Sequence, residues 1–198
     1  MAISDDVKDT FERLERESSW SNTNDERLAN YYQGAQRLVH LGLAVPPELR
    51  AFETIVNWPR LYVDAIEQRQ DVKMILRPGE TKADQWLQEL YRVNNLASEL
   101  TLFRQDMYVY GRGFLCVGSN EADPDFPLIT VESPREMTVD VDARTRQIRN
   151  ALRLYNVKDG QPQNATLYQQ GRTVWFERSA DGWTETDRDE HNLGRVPI

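Results

Sequence analysis

The chain contains very little cysteine and no long apolar stretch. Cys116 is the single cysteine among 198 residues, so an internal disulfide framework is excluded and a reducing compartment is favoured. Its position in the apolar run 113–117 is typical of a small core residue. No apolar run approaches the roughly eighteen residues that span a bilayer, and the acidic start of the chain lacks the pattern of a signal peptide. We therefore expect a soluble protein that is intracellular when it is made.

Acidic residues outnumber basic ones. The chain has 24 lysine and arginine residues against 32 aspartate and glutamate residues, which gives a formal net charge of −8. Proteins that bind nucleic acid by neutralising its phosphates carry basic clusters, and no stretch of this sequence forms one. We therefore do not expect this chain to bind DNA tightly. The hydrophobic content of 39% is enough for a folded core of one full domain or two small ones.

Recognisable catalytic and metal-binding patterns are missing too. His40 and His191 are far apart and have no cysteine or carboxylate at ligand spacing. The segment 140–142 resembles the start of a calcium loop, but Arg144 stands where a further ligand is expected. The Gly-Arg-Gly at 111–113 follows a helix and precedes a strand, the reverse of a phosphate-binding loop, which favours a helix terminator. We expect no catalytic residue, no metal site and no cofactor.

The stretch 56–71 predicts a helix with a fixed entry. Asn57 is a good N-cap, and Pro59 then falls in the first turn, where a missing N–H costs nothing. Trp58 is an alternative cap, because a residue before proline avoids the α region. Four apolar residues recur at helical spacing and predict the buried face of a core helix: Leu61, Tyr62, Ala65 and Ile66. A weak surface pair occupies the other face: Arg60 and Asp64.

Two helices are predicted before this stretch. The first begins at Ser4, whose following acidic residues suit the helix dipole. The polar run 18–24 is typical of a linker, and a second helix extends from there to an αL cap at Gly42. Gly34 inside this second helix costs roughly 1 kcal/mol against alanine, which indicates close packing or a bend. Pro46 and Pro47 then open a short helical segment.

A short strand and two more helices follow. Residues 72–77 predict a short apolar strand that stops at Pro78. Thr81 fits the capping box of the next helix. The buried face of that helix is predicted at four positions: Trp86, Leu87, Leu90 and Val93. A clear helical stripe then extends from Leu96 to Tyr110 and stops at Gly111.

After residue 113 the apolar period changes from about 3.6 to 2, which is typical of strands. The predicted strands are 114–117, 128–131, 137–141, 148–157, 165–168, 173–177 and 183–186, and the last two flank an Asp-Gly hairpin turn. Helices followed by an antiparallel meander predict an α+β fold. The expected parts are an N-terminal helix and linker at 1–23, a helical part with one short strand at 24–111, and an antiparallel β part at 112–190.

Four tryptophans could serve as interface anchors or pack in the core. Core packing is favoured for Trp58 and Trp86, which lie on helical faces. For Trp175 and Trp183, on the two sides of the hairpin turn, the sequence favours neither role.

Short motifs also occur in a recognisable order around the stretch 56–71. They are Tyr31-Tyr32-Gln33-Gly34, Gly42, Pro46-Pro47-Glu48-Leu49, Arg69-x-Asp71-Val72, the segment 95–111, Ser133-Pro134-Arg135-Glu136-Met137 and Ala151-Leu152-Arg153. From about residue 25 onward this order resembles the N-terminal part of the portal proteins of tailed bacteriophages, the head-to-tail connectors of siphophages of Gram-positive hosts. One departure is Ala143 after Asp142, where family members often have proline.

The resemblance implies a portal wing-like α+β portion of a structural protein without enzymatic activity. It implies a homo-oligomeric ring of about twelve subunits at one capsid vertex, which serves as the conduit for genome packaging and ejection and as the head-tail connector. The implied partners are the major capsid protein or scaffold, a separate terminase motor, a head-tail adaptor, and double-stranded DNA that passes without sequence-specific binding. The implied location is the virion, with assembly in the host bacterial cytoplasm and no membrane.

Eight residues match the family pattern and are expected to be structural or inter-subunit residues: Tyr32, Gly34, Asn57, Trp58, Pro59, Arg60, Asp64 and Pro134. The resemblance also implies that 191–198 begins the connection to a stem and clip. As the end of a domain, the apolar Val196-Pro197-Ile198 would be left dangling. We therefore expect a truncated sequence or a gene product shorter than its relatives.

Two other classes of function stay open at this point. One is a cytosolic enzyme domain with a carboxylate pair among the strand-end acids, since such pairs have no sequence signature. The other is a free-standing α+β interaction module whose exposed hairpin edge binds a partner strand.

Overall fold

The structure of the chain is a computed structural model that describes residues 3–36 and 57–198. The predictions at His40, Gly42 and Pro46-Pro47 lie outside these residues. The described helices are α1 (Asp5–Gln33), α2 (Trp58–Glu67), α3 (Gln85–Val93) and α4 (Leu96–Tyr110). The described strands are β1 (Phe114–Gly118), β2 (Leu128–Glu132), β3 (Met137–Val141), β4 (Ile148–Lys158), β5 (Gln161–Gln169), β6 (Arg172–Ser179) and β7 (Gly182–Glu190). Helices precede antiparallel strands, so the α+β prediction is confirmed.

α1 is one continuous helix of 29 residues, so the linker predicted at 18–24 is wrong. Ser4 takes the N-cap position, as predicted. Gly34 follows the last helical residue in the left-handed conformation, with φ of 71°, and its backbone N–H bonds back into the helix. The helix therefore ends at Gly34 and does not continue towards Gly42, and the reason for a glycine at this position is the helix cap.

The polar residues of 18–24 stay helical because tertiary contacts hold the helix on both sides of them. Phe11 on one side is fully buried. Asp25 on the other side is also buried, and its carboxylate pairs with Arg112. Contacts of this kind routinely override weak helix propensity.

α2 and α4 begin and end close to where the sequence predicts. The N-cap of α2 is confirmed, because Oδ1 of Asn57 accepts a hydrogen bond from the backbone N of Arg60 at 3.2 Å. α4 ends at Gly111, which adopts the left-handed conformation with φ of 73°, so its role as a terminator is confirmed. Among the described helices, none combines the length and the apolar character needed to cross a membrane.

Two predictions between α2 and α4 are wrong. Within the described chain, residues 72–77 belong to no strand, because an isolated extended segment needs a neighbouring strand to bond with. The cap of α3 is Asp84 and not Thr81, since Oδ1 of Asp84 accepts a hydrogen bond from the backbone N of Leu87 at 2.9 Å. Asp84 has the extended backbone of a chain entering a helix.

The strands form two antiparallel sheets. β3 to β7 make a five-stranded sheet in sequence order, and β1 pairs with β2. Asp159 and Gly160 join β4 to β5 with positive φ angles of 51° and 76°, which suit the twist of a tight hairpin. The meander is therefore confirmed. β7 is longer than predicted because its backbone pairing with β6 continues past the apolar residues, as far as Arg172 and Glu190.

α1 packs along one face of the five-stranded sheet. Its apolar stripe is fully buried at Val7, Phe11 and Leu14. The sheet residues beneath it are Leu152, Ala165, Leu167, Val174 and Phe176. Burying a side chain of this size contributes about 1.5–3 kcal/mol, so this layer holds α1 to the sheet.

A second core lies on the other face of the sheet. Ala151 is next to Leu152 on β4 and therefore points to the opposite side, where it packs with Phe114, Cys116 and Met137. The prediction of a core cysteine is confirmed, and burial raises the pKa of Cys116 to about 12.

The last residues of the chain complete this second core. Val196 and Pro197 are buried, and Ile198 packs against the cluster. The carbonyl of Pro197 accepts a hydrogen bond from the backbone N of Val117 at 2.9 Å. The expectation that these apolar residues dangle is therefore wrong.

Candidate functional site

The end of α1 and the start of α2 meet at a junction built by Asn57. Its Nδ2 donates to the carbonyl of Tyr32 at 2.8 Å, while its Oδ1 caps α2. One side chain therefore fixes both helix ends. Gly34 leaves the space for it, because a Cβ there would lie 3.0 Å from Nδ2 of Asn57.

A second set of contacts crosses the same junction. The hydroxyl of Tyr32 donates to Oδ1 of Asp64 at 2.8 Å, and Nε of Arg60 lies 3.3 Å from Oδ2 of the same carboxylate. The Arg60 guanidinium also lies 5.9 Å from the centre of the Tyr32 ring. Burial, together with the hydrogen bond to Asp64, raises the pKa of Tyr32 to about 12.

Five of the eight predicted family-pattern residues therefore come together in space. We call this group the α1–α2 junction: Tyr32, Gly34, Asn57, Arg60 and Asp64. The sequence predicts the Asn57 cap and the Arg60–Asp64 pair, and both are confirmed. Its spacing gives no hint of the contact between Tyr32 and Asp64, which are 32 residues apart.

The other three predicted residues lie elsewhere. Trp58 and Pro59 are exposed at the start of α2. Pro134 is buried away from the junction, and its carbonyl accepts a hydrogen bond from Arg112 at 3.2 Å. Arg112 also pairs with Asp25 of α1. Pro134 therefore belongs to a separate set of contacts that joins Arg112 to α1.

α2 is oriented with its polar side inward, so the predicted direction of its apolar face is wrong. Glu67 is only 7% exposed, and its Oε1 lies 2.7 Å from NH2 of Arg104 on α4. The predicted core residues are exposed instead: Leu61 is 58% exposed, Tyr62 68% and Ile66 44%. Asp64 and Glu67 anchor the polar side through α1 and α4, and the apolar side consequently faces outward.

We call this exposed surface the outward face of α2. It consists of four large apolar residues: Trp58, Leu61, Tyr62 and Ile66. Trp58 is 59% exposed, so the core packing favoured for it is wrong. Contiguous apolar surface of this kind marks interaction sites in soluble proteins.

The remaining tryptophans divide between surface and core. Trp86 is also exposed and stacks on Phe126 with ring centres 5.6 Å apart, so its predicted burial is wrong. Trp183 packs against Phe11, and its Nε1 donates to Glu15 at 2.7 Å. Trp183 is therefore a partly buried residue that packs against the first core, with its polar edge bonded to α1.

The acidic segment at 140–142 serves a structural purpose. Asp142 pairs with Arg149, and its Oδ1 accepts backbone N–H bonds from Arg144 at 2.8 Å and Thr145 at 2.7 Å. The Arg149 contact, followed by these backbone bonds, holds the pKa of Asp142 well below its usual range. Among the described residues, no group of three or more His, Cys, Asp or Glu side chains could hold a metal ion.

Two features bear on the carboxylate-pair hypothesis. Glu132 and Glu136 both contact Arg153, at 2.6 and 3.0 Å, so these two acids share one guanidinium. Asp106 on α4 forms no ion pair with a described cation, and burial raises its pKa to about 6. These arrangements are typical of ion pairing and helix packing inside a folded domain.

A cluster of arginines at one end of the five-stranded sheet is missed by the sequence reasoning. Arg146 and Arg149, at the β3–β4 turn, line the same cavity of about 760 Å³ as Arg195. No basic run reveals this group, because Arg195 is far along the chain from the others. The only hint is the closely spaced set at Arg144, Arg146 and Arg149.

Known proteins resemble this chain over nearly its whole length. Residues 22–198 match the family described as phage portal protein, SPP1 Gp6-like. The portal protein of Mycobacterium phage D29 is 33% identical over 195 residues, covering 94% of this chain and 40% of that protein. The portal protein of Mycobacterium phage L5 is 32% identical over 195 residues, with the same coverage. The chain thus spans about 40% of the length of these curated relatives.

Proposed function

Because the chain belongs to the SPP1 Gp6-like family of phage portal proteins, we propose that it forms the wing-like portion of a ring-forming portal subunit. In this proposal about twelve copies form a ring at one capsid vertex. The ring is the conduit for genome packaging and ejection and connects the head to the tail. The subunit is structural, catalyses no reaction and works as part of the virion after assembly in the host bacterial cytoplasm.

The observation that supports this proposal best is the outward face of α2. A ten-residue helix that buries Glu67 and exposes Trp58, Leu61 and Tyr62 has the reverse of the usual amphipathic orientation. Tryptophan and tyrosine are enriched among the hot spots of interfaces, and neighbouring aliphatic side chains add apolar area that a partner can bury. In a ring, each subunit offers such a surface to its neighbour.

The α1–α2 junction receives a role in the same proposal. Asn57, Tyr32 and Asp64 hold α2 at a fixed angle, so that its apolar face points away from the subunit. These residues act inside the subunit, whereas Trp58 contacts the neighbour directly. Pro59 fixes the first turn of α2. The carbonyl of Pro134 holds the Arg112 side chain, which in turn pairs with Asp25 of α1.

The remaining partners follow from the role of the whole ring. Double-stranded DNA passes through without sequence-specific binding, and a net charge of −8 suits a conduit that does not hold phosphate tightly. A terminase motor, the major capsid protein or scaffold, and a head-tail adaptor would each contact other parts of the ring. No membrane takes part.

The test removes apolar surface from α2 without disturbing its buried side. We expect Leu61→Ser with Tyr62→Ser to weaken self-association at least tenfold, or about 1.4 kcal/mol, because both side chains lose their burial against a neighbour. Sedimentation velocity over a concentration series measures this directly. Val157→Ser is the matched control, since Val157 is 66% exposed on β4, far along the chain from α2.

Two outcomes would contradict the proposal. In the first, the double variant associates as strongly as the unchanged protein. In the second, the β4 control weakens association equally, which would mean that no particular apolar surface holds the copies together.

A further inference from the structure

One end of the five-stranded sheet reverses the acidic balance of the chain. We call the cavity there the arginine pocket. Three arginines line it: Arg146, Arg149 and Arg195. Its apolar lining comes from Ile148, Val196 and Ile198. Among the described residues of the lining, Asp142 is the single acidic side chain, so these residues carry excess positive charge in a chain of net charge −8.

Hydrogen bonds within the described structure fix both walls of the pocket. The β3–β4 turn is closed by Asp142, whose backbone N donates to the carbonyl of Gln147 and whose carbonyl accepts from Arg146, both at 2.8 Å. On the other wall, the carbonyl of Gly194 accepts from Nε2 of Gln170 at 3.1 Å. The backbone segments that carry the arginines are therefore held by hydrogen bonds. Such preorganisation lowers the conformational entropy that is lost when a partner binds.

Two of the three arginines have unused charge. Arg149 pairs with Asp142. Within the described residues, neither Arg146 nor Arg195 takes part in an ion pair, and both are exposed. Guanidinium groups bind carboxylate and phosphate oxygens through paired N–H donors, so this pocket suits a partner that carries more than one such anionic group.

An acidic surface lies on β7, an outer strand of the same sheet. β7 carries Asp187 and Asp189, which are exposed and, two residues apart, point to the same side of the strand. Neither of them forms an ion pair with any other described residue. Their Cα atoms are about 7 Å apart along the strand, a spacing that two separate guanidinium groups can match.

We propose that the arginine pocket of one copy receives Asp187 and Asp189 from β7 of the neighbouring copy. Within the described residues, neither Arg146 nor Arg195 pairs with Asp187 or Asp189 of the same chain, so both surfaces are open to a neighbouring copy. Contacts between two different surfaces of identical chains repeat head to tail, and they close into a ring when the rotation permits. This inference rests on the proposed function and names a second contact within that ring.

Charge reversal on each surface tests the pairing. We expect Arg146→Glu with Arg195→Glu to weaken self-association at least tenfold, and Asp187→Arg with Asp189→Arg to do the same. An equimolar mixture of the two variants should restore association, because each mutated surface then meets a surface of opposite charge. All four residues are exposed, so folding should be retained, and circular dichroism on each variant checks this.

Matched controls separate the pairing from a general effect of net charge. Arg144→Glu changes the same turn without touching the pocket lining, and Asp181→Arg changes an exposed turn away from the acidic pair. Both should associate as the unchanged protein does. Raising the salt from about 0.05 to 0.5 M should weaken the unchanged protein more than either double charge variant, since salt screens exposed charge pairs.

The contradicting outcomes are distinct. If Leu61→Ser with Tyr62→Ser abolishes association while the charge variants assemble normally, the ring proposal is supported and the pairing of the arginine pocket with β7 is contradicted. The inference also falls if both charge variants weaken association and their mixture does not restore it. It is overturned in favour of a phosphate site if the unchanged protein binds a short DNA duplex and only the arginine variant loses that binding. A chain that never self-associates contradicts the ring itself.

Discussion

At the scale of single residues, several positions have a role that depends on one neighbour. Gly34 is such a residue, because it must adopt a left-handed backbone and also leave room for the Asn57 side chain. Asp106 is another, because its carboxyl lies half-buried on α4, where burial raises its pKa to about 6. Both can be tested by one substitution without altering the outward face of α2.

Gly34→Ala should destabilise the fold by about 1–2 kcal/mol, since alanine is strained at positive φ and its Cβ would press on Asn57. Urea unfolding at constant protein concentration measures the change. Gly118→Ala is the control, because a Cβ at Gly118 meets nothing within 4 Å and its backbone does not require glycine. Equal losses in the two variants would show that Gly34 has no special role.

Asp106→Asn should stabilise the protein at neutral pH. The pKa of Asp106 is higher in the folded chain than in the unfolded one, so its contribution is favourable below about pH 4 and is lost as the pH rises to about 6. The gain of the variant should therefore be small at pH 4, grow through this window and stay constant above it. Allowing for solvent screening of a half-exposed group, we expect about 1 kcal/mol.

Unfolding free energies measured at several pH values test this. Asp125→Asn, in an exposed loop, is the control for the loss of one carboxylate. A pH-independent difference between Asp106→Asn and the unchanged protein would contradict the account.

At the scale of elements, the orientation of α2 is the main result. Its polar side is held by Tyr32 of α1 through Asp64 and by Arg104 of α4 through Glu67. The ion pair between Glu67 and Arg104 is largely buried, and a buried charge without its partner costs several kcal/mol. The pair therefore decides which way the helix faces.

Arg104→Met should cost about 3 kcal/mol, because it leaves the Glu67 carboxylate buried without a cation. The double variant Glu67→Leu with Arg104→Met should recover most of that loss, since no unpaired charge remains. A double-mutant cycle by chemical denaturation gives the coupling between the two residues. Additive losses would contradict the buried pair.

The same scale shows what the sequence can and cannot predict. The Asn57 cap, the Gly111 terminator and the approximate positions of the strands after residue 113 follow from local chemistry, and these predictions are confirmed. The direction in which the apolar face of α2 points does not follow from local chemistry. Helical spacing defines an apolar stripe but not the side of the helix on which its tertiary partners lie. Those partners, Tyr32 and Arg104, come from distant parts of the chain.

The linker prediction and the cap of α3 failed for related reasons. The polar run 18–24 has weak helix propensity, but the buried contacts of Phe11 and Asp25 on either side keep it helical. Thr81 and Asp84 are both suitable N-cap residues. α3 begins at Gln85, so Asp84 occupies the cap position. The arginine pocket was missed because the fold, and not the sequence order, brings Arg195 to the β3–β4 turn.

At the scale of the whole molecule, two surfaces are suited to bind a partner: one exposes apolar side chains and the other exposes charge that is unpaired among the described residues. One is the outward face of α2, and the other is the arginine pocket with its acidic counterpart on β7. The interaction-module hypothesis is less well supported, because the outer strand β7 carries exposed acids, and charged outer strands discourage pairing with another strand. The family match favours further copies of the same chain as the partner.

The most direct test of this account is the mass of the particle in solution, measured by light scattering after size exclusion at near-physiological salt. We predict a mass that rises with concentration to several multiples of the 23.1 kDa chain, with a closed ring of about twelve copies as its limit. A mass that stays at 23.1 kDa at every concentration would contradict the claim that this part of the portal subunit holds neighbouring copies together.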